Sequence, residues 1–236
     1  MSKILVVFEG KTAEPRLFDF IREKYFNDET LIVYSIFGTV IYKLWKDLAS
    51  DEYLSSFQLI KESSEENEIA LSDFNRDDFS EIYLFFDHDG HASNACNIKL
   101  TEMLNIFNDE YEQGRLYINY PMIESIMDVS VCQEYQNKVF KVDQNRTYKK
   151  IARERCKFTN INAFTSENWS EIMALNCKKA NLIVSGEYEI PEHVIQQSEI
   201  FNKQVEEFIV PHNEVSILNS FPLFIAEYFG IDKVLD

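Results

Sequence analysis

Two acidic motifs, 78 residues apart, each follow a short apolar run that is typical of a buried strand. Glu9-Gly10 follows residues 4–8, and Asp87-His88-Asp89-Gly90 follows residues 82–86. Apolar runs of this length, ended by glycine, are typical of parallel strands that are covered on both faces. Because ligands of open α/β sheets collect at the carboxyl ends of the strands, we expect these carboxylates to meet at one edge.

The chemistry that this arrangement favours is the binding of a divalent cation. Carboxylates that lie close together repel each other unless a cation lies between them. Residues i and i+2 of a strand point to the same side, so Asp87 and Asp89 can face one ion, whereas His88 is expected to pack behind the strand. Oxygen ligands favour hard cations. The sequence therefore predicts a Mg²⁺ or Mn²⁺ site with Glu9, Asp87 and Asp89 as ligands.

The apolar pattern around these motifs predicts alternating strands and helices. Residues 15–26 have apolar side chains at helical spacing, and Pro15 suits the first turn of a helix. Residues 50–80 are acidic, which predicts an insertion or a solvated helix. Further strands are predicted at residues 31–37 and 115–119, and further helices at residues 40–48 and about 94–112. This order predicts an α/β protein whose mostly parallel sheet is flanked by helices.

The carboxy-terminal region has helical patterns and no comparable run of strands. Residues 182–184 are apolar and could form one more strand or a packed link. Helices are expected around residues 167–179 and 191–208, and an aromatic segment covers residues 221–229. We therefore predict an α/β catalytic domain over residues 1–130, with an insertion at about 50–80, and a mainly helical region over residues 131–236 packed on it.

The charge of the chain is very uneven. The formal net charge is −17, yet residues 138–157 contain eight basic and two acidic residues, so this segment carries +6 and the rest of the chain −23. A strongly acidic protein repels phosphate backbones at long range. The basic segment is therefore either a solvated helix face or a local phosphate-binding surface. On the second interpretation, the candidate contacts are Lys149, Lys150 and Arg153, together with Lys11 in the loop after Glu9.

The two acidic motifs also carry a resemblance to a known family. The order strand, Glu-Gly, helix, then strand, Asp-x-Asp-Gly, helix resembles the TOPRIM domain of topoisomerases, primases and OLD-type nucleases. Residues 9–15 resemble the E-G-x-x-T-E-P opening of RloB-like TOPRIM proteins from bacterial defence loci, with Ala13 where that pattern has Thr. Residues 120–124 fall where those proteins carry an Asn-Pro-x-Phe-Glu segment. The likeness covers roughly residues 1–130.

The resemblance implies a TOPRIM-like, Rossmann-like fold and a metal-dependent nuclease. Its substrate would be RNA such as tRNA, or DNA, and the chain would be the toxin-like effector of an anti-phage defence system controlled by a partner ATPase. In this interpretation Asp87 and Asp89 hold Mg²⁺, and Glu9 is a ligand or a general acid/base. Glu14 or Glu124 would anchor a second ion.

Two other functions remain open at this point. Residues 86–90 resemble the F-D-x-D-G loop of haloacid-dehalogenase-type phosphatases, in which Asp87 would be the nucleophile and Asp89 the general acid. Alternatively, the chain is a TOPRIM-shaped subunit without catalytic activity that binds a partner protein. The sequence does not set the oligomeric state and leaves a homo-oligomer open.

The cysteines and the apolar runs bear on the cellular compartment. Four cysteines are widely spaced and include no C-x-x-C pair, as expected for reduced thiols of a cytoplasmic protein. No run approaches the roughly 20 apolar residues needed to span a bilayer, so we expect no membrane partner. The amino-terminal residues lack the features of a signal peptide.

Overall fold

The amino-terminal half alternates strands and helices, as the apolar pattern predicts. The computed structural model describes residues 2–27, 29–38, 41–50, 54–88, 90, 96–129, 132–155 and 164–232. The strands of this half are β1 (Ser2–Phe8), β2 (Thr30–Ile36), β3 (Glu81–Asp87), β4 (Asn108–Asp109) and β5 (Gly114–Asn119). The helices are α1 (Ala13–Tyr25), α2 (Ile41–Ser50), α3 (Ser56–Glu62), α4 (Glu65–Ala70) and α5 (Asn97–Ile106).

These five strands form one mostly parallel sheet in the order β2-β1-β3-β5-β4. Strand β1 runs parallel to β2 and to β3, and its last residue, Phe8, pairs with Ile36 and with Phe85. Residues 4–8 are buried throughout, as expected for a strand covered on both faces. Only the short β4 is antiparallel to its neighbour β5. The prediction of an α/β fold with a mostly parallel sheet is confirmed.

The chain divides into two compact units, and the division falls within strands β3 and β5. The first unit comprises Met1–Phe86 and Asn94–Leu116, and the second comprises Asp87–Ser93 and Tyr117–Asp236. The aromatic core of the first unit is built around Phe8, whose ring centroid lies 5.8 Å from that of Phe18 and 6.0 Å from that of Phe85. The predicted domain boundary near residue 130 stays a prediction.

The acidic segment between β2 and β3 is more regular than the sequence suggests. Ser55 and Ser64 cap α3 and α4 by accepting hydrogen bonds from backbone amides. The Asn67 side chain hydrogen-bonds to both the N–H and the carbonyl of Ile36 and so completes the end of edge strand β2. Helix α5 ends at Ile106, earlier than predicted, because the chain turns back through the β4–β5 hairpin.

The second unit is mainly helical, as predicted for the carboxy-terminal region. Its helices are α6 (Cys132–Tyr135), α7 (Asn145–Arg155), α8 (Ser166–Ser185), α9 (Gln197–Lys203), α10 (Val210–His212) and α11 (Ser220–Phe229). A π-helical segment, Gln204–Ile209, joins α9 to α10. Two short strands that the sequence analysis did not predict, β6 (Val139–Lys141) and β7 (Glu214–Ser216), pair antiparallel. No helix among the described residues is long and apolar enough to cross a membrane.

Two predicted elements of this region are corrected by the structure. Residues 182–184 lie in the last turns of α8 and form neither a strand nor a link. The helix ends immediately afterwards because Gly186 adopts a left-handed conformation, with φ of 85°, and caps it. The helix predicted from residue 191 begins only at Gln197.

Two of the four cysteines, Cys96 and Cys177, have side chains that the structure describes. Cys96 and Cys177 are free, and Cys177 is buried. Burial raises the pKa of the Cys177 thiol to about 12, so this side chain is a packing group. Cys156 lies outside the described residues.

Lys179 of α8 is a fully buried cation. Its Nζ donates to the carbonyl oxygens of Tyr135 and Lys138, each at 2.7 Å, and lies 4.7 Å from the centre of the Tyr135 ring. Burial lowers the pKa of the Lys179 ammonium from 10.5 to about 7; repulsion from Lys138 adds to the shift and attraction to Asp128 opposes it.

We expect this lysine to make the free energy of unfolding depend on pH in the alkaline range. Between pH 7 and about 10, the unfolded chain holds the Lys179 proton more tightly than the folded chain, so the free energy of unfolding rises with pH. Urea denaturation at pH 7 and pH 9 should show this rise, and Lys179→Met should reduce it by about 1–2 kcal/mol. Lys178→Met is the control, and equal pH dependence in the two variants would contradict the prediction.

Candidate functional site

In the first unit, Glu9 lies at the carboxyl end of β1. Its backbone N–H donates to the carbonyl of Phe85 at 3.2 Å, and its own carbonyl accepts from Gly38 N–H at 3.2 Å. The first bond continues the ladder that pairs Phe8 with Phe85, and the second continues the ladder that pairs Phe8 with Ile36. Glu9 is therefore held by its backbone at the carboxyl end of β1, where the sequence predicted it.

The loop after Glu9 is closed by Glu14, which lies in the first turn of α1. The Gly10 N–H donates to the Glu14 Oε1 at 3.0 Å, and Glu14 is 5% exposed. A Cβ atom on residue 10 would lie within 2.8 Å of this carboxylate, so only glycine fits there without a shift. The structure thus gives Glu14 a part in shaping the loop, and its role as ligand of a second ion stays a prediction.

Lys11, a predicted nucleic-acid contact, projects from the same loop. Its Nζ lies 2.7 Å from Glu66 Oε2, and both side chains are more than 60% exposed. Exposed ion pairs contribute about 0–1 kcal/mol, so Glu66 would not hold Lys11 strongly against another anion.

In the second unit, Asp87 is the last residue of β3 and is half-buried. The Asn119 Nδ2 donates to the Asp87 Oδ1 at 3.1 Å. The next residue is also tied down: His88 N–H donates to the Asn119 carbonyl at 2.9 Å, and Asn145 Nδ2 donates to the His88 carbonyl at 3.1 Å. The chain after β3 is therefore bound both to the carboxyl end of β5 and to the first residue of α7.

His88 packs into the core, as predicted for a residue that alternates away from Asp87. It is 4% exposed, and its ring stacks on Tyr120 with centroids 5.5 Å apart and an interplanar angle of 30°. Gly90 lies against Val142, and a Cβ atom at residue 90 would collide with the Val142 side chain. Asp89, between them, lies outside the described residues.

Helix α7 carries the central part of the basic segment 138–157, whereas Lys157 lies outside the described residues. Lys149, Lys150 and Arg153 line a shallow surface depression together with Glu154. Lys150 is 81% exposed and lies 3.8 Å from Glu154, and Arg153 forms no ion pair with any described residue. Two of the predicted phosphate contacts, Lys150 and Arg153, are thus exposed cations that form at most a weak ion pair within the described residues.

Lys149 is different because it is paired with a buried carboxylate. Its Nζ lies 2.5 Å from the Oε1 of Glu124, which is 4% exposed and lies in the 3₁₀ turn Ile123–Ile126 after β5. The sequence analysis predicted Glu124 as a metal ligand and Lys149 as a phosphate contact; the structure pairs the two side chains, and both roles stay predictions. This ion pair connects α7 to the 3₁₀ turn.

We expect Lys149→Met to destabilise the chain because it would leave the Glu124 carboxylate buried without its cation. Removing one partner of a buried pair costs several kcal/mol, and since Lys149 is half-exposed we expect about 1–3 kcal/mol. Urea denaturation should show this loss, whereas Lys150→Met, at a neighbouring exposed position, should change the free energy of unfolding by less than about 0.5 kcal/mol. Adding Glu124→Gln to Lys149→Met should restore part of the loss, and equal effects of the two lysine variants would contradict the pairing.

The donors at the strand ends fit a hard cation by their chemistry. Within the described part of the chain, no group of three or more Asp, Glu, His or Cys side chains is placed to hold a metal ion. The third predicted ligand, Asp89, is not in that part. Asp87 offers a carboxylate, the ligand type that Mg²⁺ and Mn²⁺ prefer, and Asn119 supports it as an outer-shell partner supports a ligand.

Sequence reasoning missed Asn119 and Asn145, which organise this end of the second unit. A signal for Asn119 was present, since it is a polar residue at the end of an apolar run, as Asp87 is. Asn145 is one of several polar residues around the start of α7, and no local pattern distinguishes it. Comparisons with family models, with curated proteins and with solved structures found no match.

Proposed function

We propose that the chain is a Mg²⁺- or Mn²⁺-dependent nuclease with a TOPRIM-like catalytic site. One observation carries this proposal: Asn145, the first residue of the cationic helix α7, hydrogen-bonds to the backbone of the residue that follows Asp87. A carboxylate at a strand end and a cationic surface thus lie in the same compact unit. Such a combination suits a substrate that is a polyanion and a reaction that needs a cation.

The Glu-Gly motif after β1, and the resemblance to TOPRIM domains that it carries, support Glu9 as a second member of the site. Glu9 directly follows Phe8, which pairs with Phe85, and β3 continues from Phe85 to Asp87. Each carboxylate therefore lies at or directly after the carboxyl end of its strand, the kind of position where ligands of α/β sheets bind.

Each residue of the site would have its own role in the proposed reaction. A bound divalent cation would polarise the scissile phosphate and activate a water molecule. Asp87 and Asp89 would hold the cation, and Glu9 would be a further ligand or would transfer a proton at the scissile phosphate. Lys150 and Arg153 would bind neighbouring phosphates and set the position of the nucleic acid.

The biological setting of the proposal follows from the resemblance of residues 9–15 to RloB-like proteins. We place the chain in the bacterial cytoplasm, as the effector of an anti-phage defence system that a partner ATPase controls. The charge of −23 outside the basic segment would keep nucleic acid away from most of the surface, which suits an enzyme that a partner must bring to its substrate. Free thiols at Cys96 and Cys177 are consistent with a reducing compartment.

A cleavage assay on the purified chain tests the reaction. The substrates are tRNA, single-stranded DNA and plasmid, each with Mg²⁺, with Mn²⁺ and with EDTA. We expect cleavage of at least one substrate with metal and none with EDTA, at the highest rate in low salt. If no substrate is cleaved, even when the product of a neighbouring ATPase gene is added, the proposed nuclease activity is contradicted. The cationic surface of α7 would then have to serve another reaction.

A further inference from the structure

We infer that Asn119 is a positioning residue, which holds the carboxylate of Asp87 in the orientation needed to bind the cation. This inference rests on the proposed function, because it assigns a partner to the proposed ligand. It concerns the second unit alone, where all the contacts that carry it are found. The sequence analysis assigned no role to this residue.

The amide of Asn119 is fixed in one orientation. Asn119 is fully buried, and its Oδ1 accepts hydrogen bonds from the Ser220 N–H at 3.1 Å and from the Ser220 hydroxyl at 2.8 Å. The backbone N–H can only donate, so the oxygen of the amide must face Ser220 and its NH₂ group must face Asp87. The direction of the Asn119–Asp87 hydrogen bond is thus set by a donor on the other side of the amide.

The residues that hold Asn119 are themselves held. Asn219 caps α11, which begins at Ser220, and the Asn219 Nδ2 donates to the Ser125 hydroxyl at 3.0 Å. The Asn219 N–H donates to the Asn176 Oδ1 at 2.9 Å, and that oxygen also accepts from the Tyr135 hydroxyl at 2.8 Å. These side chains are fully buried. A buried network in which each member has its partners is rigid, so the position of the Asn119 amide is well defined.

An amide suits this task better than a cationic side chain would. A Lys or Arg beside Asp87 would orient the carboxylate but would also repel a metal ion. The amide donates a hydrogen bond without adding charge, and its oxygen is already occupied by Ser220. Removal of an outer-shell partner of this kind usually lowers metal affinity by about 10- to 100-fold. We expect an effect of about this size when Asn119 is replaced.

Mg²⁺ titration of the full chain by calorimetry tests the inference. Asn119→Ala should weaken Mg²⁺ binding about 10- to 100-fold. Asn176→Ala is the matched control, because it removes an equally buried asparagine of the same network that does not touch Asp87; it should lower the melting temperature and leave the Mg²⁺ dissociation constant within about threefold. An unchanged Mg²⁺ affinity in Asn119→Ala, or an equal loss in Asn176→Ala, would overturn the inference.

Two further measurements keep the test decisive. If Asn119→Ala does not fold, Ser220→Ala replaces it, since it removes one of the two bonds that orient the amide and should weaken Mg²⁺ binding several-fold. In EDTA, the melting-temperature changes of Asn119→Ala and Asp87→Ala should not add in the double variant, and additivity would overturn the contact. A wild-type chain that binds no Mg²⁺ would overturn the proposed metal site, whereas normal wild-type binding that Asn119→Ala leaves unchanged would overturn only the role of Asn119.

Discussion

Asp87→Asn is expected to abolish metal-dependent cleavage while the chain stays folded. The substitution keeps the size of the side chain, and its remaining oxygen can still accept the hydrogen bond from Asn119, so the local fold should persist. It removes the negative charge that would hold the cation. Loss of a metal that supplies several kcal/mol of transition-state stabilisation corresponds to a rate decrease of about 10³-fold or more.

The same variant should lose the thermal response to Mg²⁺. A ligand that binds only the folded chain, at a concentration of 100 times its dissociation constant, stabilises it by about 2.7 kcal/mol. For a chain of this length, this corresponds to a rise in melting temperature of about 5–10 °C. Asp87→Asn should show no rise. If Asp87 repels the other carboxylates of the predicted metal site, the metal-free melting temperature of Asp87→Asn should exceed that of the wild type, because the substitution neutralises one of these charges.

Asp73→Asn is the control, because it removes the same charge at an exposed position in the first unit. It should cleave and respond to Mg²⁺ as the wild type does. A full Mg²⁺ response in Asp87→Asn would reject this residue as a ligand. Hydrolysis of a simple phosphate monoester, lost in Asp87→Asn and accompanied by no cleavage of nucleic acid, would instead support Asp87 as the nucleophile of a phosphatase.

The parts of this structure that the sequence predicted are those with a strong local signal. Residues 4–8 and 82–86 are continuous apolar runs, and such runs form β1 and β3 because a parallel central strand is buried on both faces. The alternation of these strands with amphipathic helices then predicted a parallel sheet with crossovers. The structure shows that β1 lies beside β3 in this sheet. The positions of Glu9 and Asp87 at strand ends followed directly.

The parts that the sequence did not predict depend on contacts between distant residues. The Lys149–Glu124 ion pair, the Asn119–Asp87 hydrogen bond and the pairing of β6 with β7 join residues 25 or more positions apart, and no local spacing marks them. The incorrect interpretation of residues 182–184 has a different origin. Three apolar residues suit a strand as well as a helix, and only the preceding turns of α8 and the cap at Gly186 decide between them.

Reversing the two exposed cations of α7 is expected to have the largest effect on substrate binding. Lys150→Glu with Arg153→Glu should weaken nucleic-acid binding and lower the slope of log affinity against log salt by about 1.4–1.8 units, since each lost phosphate contact removes about 0.7–0.9. Mg²⁺ affinity should be unchanged. Lys149 is left out of this variant because its reversal would place two carboxylates together at Glu124 and would damage the attachment of α7.

The control for this variant must carry the same net charge, because the whole protein is strongly acidic and any further negative charge weakens nucleic-acid binding. Lys43→Glu with Lys46→Glu meets this requirement, since both lysines are exposed on α2 of the first unit. A smaller loss of affinity and an unchanged salt slope are expected in the control, because no phosphate contact is removed there. If both double variants lost affinity equally and kept the wild-type slope, α7 would be a solvated helix, and its charge would act on the substrate only at long range. Loss of binding to a partner ATPase in the α7 variant, with cleavage by the isolated chain intact, would instead make this helix the docking surface for the partner.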